Sequence, residues 1–117
     1  WLEWFTDGSL ADKYKRYLAD TDNILMPAII LYEVYKILKR EAGEEKALLA
    51  AGYMKKSQVI PLDDPLALAA ADIALDEKLA MADAIIVATS RLHNCRIISS
   101  DADLKDQVNV DYIPKEP

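Results

Sequence analysis

The sequence has one cysteine, Cys95, and one histidine, His93, in 117 residues. A single cysteine excludes an intrachain disulfide and leaves a cysteine-based structural zinc site short of ligands, so a reducing, cytoplasmic compartment is expected. A single histidine argues against a histidine-rich metal site and against a serine–histidine hydrolase, although one imidazole suffices for a lone general base. Both residues are expected to be structural, Cys95 as a small core residue and His93, just before Asn94, as a helix-end residue. Glycine and proline are scarce, at three and five positions, while hydrophobic residues reach 52%, a balance that excludes a disordered or low-complexity chain. Long apolar runs are also missing. None approaches the roughly 20 residues of a membrane span, and Trp1-Leu2-Glu3-Trp4-Phe5 carries an acid where a signal peptide carries bases, so neither a membrane partner nor secretion is expected. At this length one domain with one core is expected over 1–117.

An excess of positive charge is lacking too. The formal net charge is −6, the wrong sign for a protein that grips phosphates through clustered Lys and Arg. The objection softens if some of the acids are metal ligands, because bound divalent cations reverse the local field where a phosphate would sit.

What is present is an alternation of short apolar strands with amphipathic helices. Trp1 to Phe5 reads as a short helix closed by Asp7-Gly8, and Ser9 caps a second helix striped by Leu10, Tyr14, Tyr17 and Leu18. The opening lacks a strand that the alternation calls for, so the domain is expected to be N-terminally incomplete, with a first strand upstream of Trp1. Ile24-Leu25-Met26 reads as a strand. Pro27 suits the first turn of the following helix, whose apolar positions are Ile30, Val34, Ile37 and Leu38 and which Gly43 ends. A helix over Glu44 to Lys56 repeats Ala47, Leu48, Ala51 and Met54, and Gln58-Val59-Ile60 is the next strand. Asp63 or Asp64 caps a helix with Leu66, Ala69, Ala70 and Ile73 inside. Another helix spans Met81 to His93, Arg96 to Ser99 is a strand, a short helix begins near Asp101, and Val108 to Ile113 is a last strand. Strands separated by helices imply an α/β fold with a mainly parallel sheet covered on both faces, because parallel neighbours need crossovers. Such sheets keep their ligand sites at the carboxyl ends of the strands.

Three acids sit where packing alone does not call for them. Glu33 has Ile29, Ile30, Lys36 and Ile37 as its helical neighbours, on or beside the stripe that faces the core; a cationic partner or snorkelling at the stripe's edge is the bland explanation. Asp83 lies in Met81-Ala82-Asp83-Ala84-Ile85-Ile86-Val87-Ala88, with little polar company, although a first-turn acid also complements a helix dipole. Asp101 follows the strand that ends at Ser99, with Asp103 two residues on, and reads equally as a helix cap. Gathered at one sheet edge, the three would repel unless protonated or bridged by cations. Carboxylates without Cys or His favour Mg²⁺ or Mn²⁺, ions that lower the pKa of an attacking water and stabilise charge on phosphate.

With those residues in view, the sequence resembles the PIN-domain family, and within it the VapC toxins of prokaryotic toxin–antitoxin pairs. Trp1-Leu2-Glu3-Trp4-Phe5 is similar to the segment that follows the family's first strand and first Asp, which would lie upstream of Trp1; Asp7 is a poor substitute because it follows the helix. Pro27 followed by Tyr32-Glu33-Val34 looks like the second acid. Ala82-Asp83-Ala84-Ile85-Ile86-Val87-Ala88-Thr89 is similar to the family's Asp-Ala-apolar-Ile-Ala-Ala-Thr helix, and Ile97-Ile98-Ser99-Ser100-Asp101-Ala102-Asp103-Leu104 resembles its fourth acidic motif. The resemblance implies a three-layer α/β/α fold with strand order 3-2-1-4-5 and an acidic pocket binding Mg²⁺ or Mn²⁺. It further implies an RNA substrate, a VapB-type antitoxin and a homodimer. Glu33, Asp83 and Asp101 would be the catalytic metal ligands, with Ser99 and Asp103 auxiliary. The alternative is a catalytically inactive PIN-like interaction module. A phosphoacceptor receiver domain fits less well, because no Lys ends the last strand.

Overall fold

The computed structural model describes residues 24–99 and 110–112, with side chains from 24 to 97. The helices expected over 1–23, the short helix near Asp101 and the C-terminal tail lie outside the described residues, as do Asp101 and Asp103. The chain divides into two compact units, Trp1–Pro61 and Leu62–Pro117. Both combine helices with a parallel strand pair, so the chain has an α/β fold.

In the first unit, strand β1 (Leu25–Pro27) leads directly into helix α1 (Ala28–Ala42), followed by helix α2 (Glu44–Met54) and strand β2 (Gln58–Ile60). β1 and β2 pair in parallel, with Leu25 opposite Gln58 and Pro27 opposite Ile60. Pro27, expected in the first helical turn, is instead the last strand residue. Its φ of −58° suits either state, but its ψ of 138° is extended, and the helix starts one residue later. α1 ends where Gly43 adopts φ 95° and ψ 165°, a backbone region open essentially to glycine alone. The Gly43 carbonyl then accepts from Ala47 N at 3.1 Å, which opens α2.

The helix pair buries Val34 and Leu38 from α1 and Ala47, Ala50 and Met54 from α2 around Met26 of β1. The face of α2 differs from the expected one. Ala50 takes the place assigned to Leu48, which is 56% exposed. Residues 47 to 51 are all apolar, so hydrophobicity gives the helix no phase there, and contact with α1 sets it. α2 also stops at Met54 rather than Lys56. Lys56 N and Ser57 N donate to the Tyr53 and Met54 carbonyls at 3.1 and 3.0 Å, turns that tighten the chain out of the helix and into β2.

The second unit holds helix α3 (Asp64–Glu77), helix α4 (Met81–His93), strand β3 (Ile97–Ser99) and strand β4 (Val110–Tyr112). Of the two candidate caps, Asp63 is the one used: its Oδ1 accepts from Leu66 N at 3.0 Å, with Pro65 in the first turn. Leu66 and Ala70 are buried, and Ala69 and Ile73 partly so. α3 and α4 both close on a left-handed residue, Lys78 at φ 56° and Asn94 at φ 51°. A two-point ion pair joins the helices: Arg91 Nη1 and Nη2 donate to Glu77 Oε2 and Oε1 at 2.9 and 3.1 Å. β3 begins at Ile97, one residue later than expected, and pairs in parallel with β4, Ile97 opposite Val110 and Ser99 opposite Tyr112.

Candidate active site

Asp83 is the third residue of α4 and only 9% exposed. The sequence explains how it gets there. Ala84, Ile85, Val87 and Ala88 are buried on the same helix, and Ala80 at the N-cap position offers no capping side chain. Asp83 is thus the one acid in the first turn, where the exposed amides and the helix dipole favour a negative charge. Burial opposes that charge, since a carboxylate taken out of water needs compensation from donors or cations.

The neighbourhood of Asp83 follows from how the chain turns. Cys95 N donates to Ser90 O at 3.0 Å, so the backbone reverses at Asn94, and Ile97 packs against Val87. β3 therefore runs back along α4 in the opposite sense. From Val87, Asp83 lies four residues toward the helix start, about 6 Å along the axis. From Ile97, Ser99 lies two residues further along the strand, about 6.6 Å in the same direction. The carboxyl end of β3 and the N-terminal turn of α4 thus share one edge of the second unit. The exposed His93 ends α4, ten residues or about 15 Å along the axis from Asp83, and Cys95 follows beyond the helix end.

Glu33 belongs to the first unit. It is the sixth residue of α1, partly buried, beside the fully packed Val34. That matches its expected place at the margin of the core-facing stripe. Ser99 is the last residue of β3. Among the described residues, no three His, Cys, Asp or Glu side chains gather closely enough to hold a metal ion; Glu33 and Asp83 are the only candidate ligands among them.

Other buried polar groups, which the sequence did not flag, have structural work. Thr89 Oγ1 donates to Ile85 O at 2.7 Å, Ser90 Oγ to the Cys95 carbonyl, and Ser57 Oγ to the Met54 carbonyl. Each secures a helix or its exit. Cys95 is partly buried in the turn between α4 and β3, not in the core. Burial pushes its thiol above the usual range, with the hydrogen bond from Ser90 and its own backbone opposing. A raised pKa leaves little thiolate at neutral pH, against a nucleophilic role. His93 ends α4, as expected.

The donor that Asp83 offers is a carboxylate oxygen, with the thiol and the imidazole at the far end of the helix. Such donors fit Mg²⁺ or Mn²⁺ and do not fit a zinc site built on Cys and His. Among the described residues no helix is long and apolar enough to cross a membrane.

Comparison with known proteins agrees with this architecture. No curated protein matches the chain. Among solved structures, a toxin–antitoxin complex from Klebsiella pneumoniae superposes with a TM-score of 0.79 and 22% identity, over 99% of this chain and 92% of that one; at that identity the likeness is one of fold. The PIN domain family model matches residues 1–109. This chain belongs to the PIN domain family.

Proposed function

We propose that the chain is a Mg²⁺- or Mn²⁺-dependent ribonuclease that hydrolyses RNA phosphodiester bonds, acting as the toxin of a VapBC-type toxin–antitoxin pair. The observation that carries this reading is Asp83, a carboxylate 9% exposed in the first turn of α4, at the end of an otherwise apolar helix face. Membership of the PIN family supports the nuclease chemistry, and the likeness to a structure solved as a toxin–antitoxin complex supports an antitoxin partner. The cytoplasm and a homodimer complete the proposal.

In this reading Glu33, Asp83 and Asp101 hold the metal, while Ser99 and Asp103 position the ligands. Asp101 is two residues beyond Ser99, the last residue of β3, and its place after the carboxyl end of a strand supports its assignment. The metal would supply charge to polarise the phosphate and a water of lowered pKa. The protein's part is to keep Asp83 ionised at a helix N-terminus, restrict solvent around it and present acids from separate elements to one ion.

The two units are read as parts of one domain, since one family match runs across both. Both described strand pairs are parallel, as the proposed order 3-2-1-4-5 requires of a mainly parallel sheet.

The test is cleavage of a labelled RNA with Mg²⁺, with EDTA, and with Asp83→Asn and Asp101→Asn. EDTA should abolish cleavage. Each amide should lower the rate by at least the roughly 10–100-fold that loss of an outer-shell metal partner costs. Cleavage that survives EDTA, or is unchanged in both variants, would discard the mechanism.

A further inference from the structure

The exposed face of α1 carries two tyrosine–lysine couples one helical turn apart. Lys36 Nζ lies 5.2 Å from the centre of the Tyr32 ring, and Lys39 Nζ lies 5.8 Å from that of Tyr35. The cations differ in their other partners. Lys39 is 3.7 Å from Glu44, and the neighbouring Arg40 is 3.1 Å from Glu41, so both are offset by acids. Lys36 is exposed and set over an aromatic ring, and Tyr32 keeps 60% of its surface open to solvent.

Helical geometry relates this face to Glu33. At 3.6 residues per turn, Glu33 lies about 60° around the axis from Lys36 and about 20° from Arg40, between the basic stripe and the buried Val34 and Leu38. The candidate metal ligand of α1 is thus flanked on its solvent side by the helix's cations. The charge of the chain is uneven in the same sense. Residues 24–61 hold six Lys and Arg against four acids, a balance of +2, whereas 62–117 hold five against eleven, a balance of −6. The excess of basic residues is therefore local to this stretch of the sequence.

We propose that Tyr32 and Lys36 form a contact for single-stranded RNA, the tyrosine ring stacking with a base and the lysine meeting a backbone phosphate beside Glu33. The inference rests on the nuclease reading and adds to it the surface that receives the strand. A base has a π-face that any exposed ring can stack against, and a lysine above such a ring still has N–H donors for phosphate oxygens. A duplex, with its bases already stacked, cannot use Tyr32 in this way. A protein partner would be served by the ring but gains nothing particular from a cation in a chain of net charge −6.

The experiment is fluorescence anisotropy with a labelled single-stranded RNA, carried out on the full chain bearing Asp83→Asn so that the strand stays intact. It is run across a salt series beside a duplex of the same sequence. Lys36→Gln should weaken single-strand binding several-fold and reduce the slope of log affinity against log salt by about 0.7. Tyr32→Leu should weaken it about tenfold with the slope unchanged, and should leave duplex binding as it was. Lys46→Gln, an exposed change on α2, should alter neither affinity beyond its loss of charge. If the strand binds and both α1 variants bind like the parent, this surface is wrong while the nuclease reading stands. If the parent binds no RNA, both fall together. A change of oligomeric state on size exclusion without loss of RNA affinity would make the face a protein contact and overturn the proposal.

Discussion

The two units solve the same problem, packing a helix pair beside a parallel strand pair, with different materials. The first relies on large apolar side chains, with Met26, Val34, Leu38 and Met54 meeting the small Ala47 and Ala50. Its polar groups are mostly solvated, and its ion pairs, Lys39–Glu44 and Arg40–Glu41, are exposed and worth little. The second is built on small residues, Ala70, Ala84 and Ala88 beside Leu66, Ile85 and Val87, and it buries polar atoms along α4 at Asp83, Thr89 and Ser90. Thr89 and Ser90 donate to backbone carbonyls of the helix and of its exit. Asp83 is ionisable, and its burial carries a cost that helix propensity does not require. The contrast teaches where to look for chemistry: in the unit whose helix accepts polar burial, at the end where an acid is placed in the first turn.

The contrast can be sharpened at the cores. Met54 and Val87 are the large, fully buried side chains of α2 and α4. Met54→Ala should destabilise the protein by about 2–5 kcal/mol in a urea melt, and Val87→Ala by less, because fewer atoms leave the core. Equal losses would show that the second unit packs as tightly around its side chains as the first.

A smaller effect separates the helix exits. Gly43 has nothing within 4 Å of the position a Cβ would take, so Gly43→Ala should cost only the backbone strain of φ 95°, about 1–3 kcal/mol. Lys78 holds a left-handed conformation without being glycine, and Lys78→Gly should stabilise by up to about 1 kcal/mol. A neutral Gly43→Ala would mean that α1 and α2 tolerate another connection.

The smallest concerns the bond between α3 and α4. Glu77→Gln removes a two-point ion pair with Arg91, a residue about half exposed. The expected loss is at most about 1 kcal/mol, and it should shrink as salt is raised in the melt. A larger, salt-independent loss would make this pair a structural strut of the second unit.

Much of this was legible in the sequence because the signals were redundant. Gln58-Val59-Ile60 holds two β-branched residues between Ser57 and Pro61, and Met81 to His93 has an apolar period followed by Asn94; both emerge with the bounds expected. Asp83 was legible as a charged residue in apolar company. Less legible were features decided by partners. Ala47-Leu48-Leu49-Ala50-Ala51 is apolar all round, so only the neighbouring α1 determines that Ala50, not Leu48, turns inward. Pro27 fits a strand end and a helix start alike, and pairing with Ile60 settles it. Cys95 looked like a core residue, yet it falls in the turn set by Asn94. For the site, the sequence named residues on separate elements; Glu33 and Asp83 stand, each in its own unit, at the margin or inside of a packed helix face.

Binding of Mn²⁺ tests the central claim most directly, because it does not require the RNA target to be known. Thermal melts of the full chain across a Mn²⁺ titration should show a saturable rise in melting temperature. Asp83→Asn should abolish that rise while the metal-free protein keeps the far-ultraviolet circular dichroism of the parent. A rise of the same size in Asp83→Asn, or none in the unsubstituted chain, would contradict the assignment of Asp83 as a metal ligand.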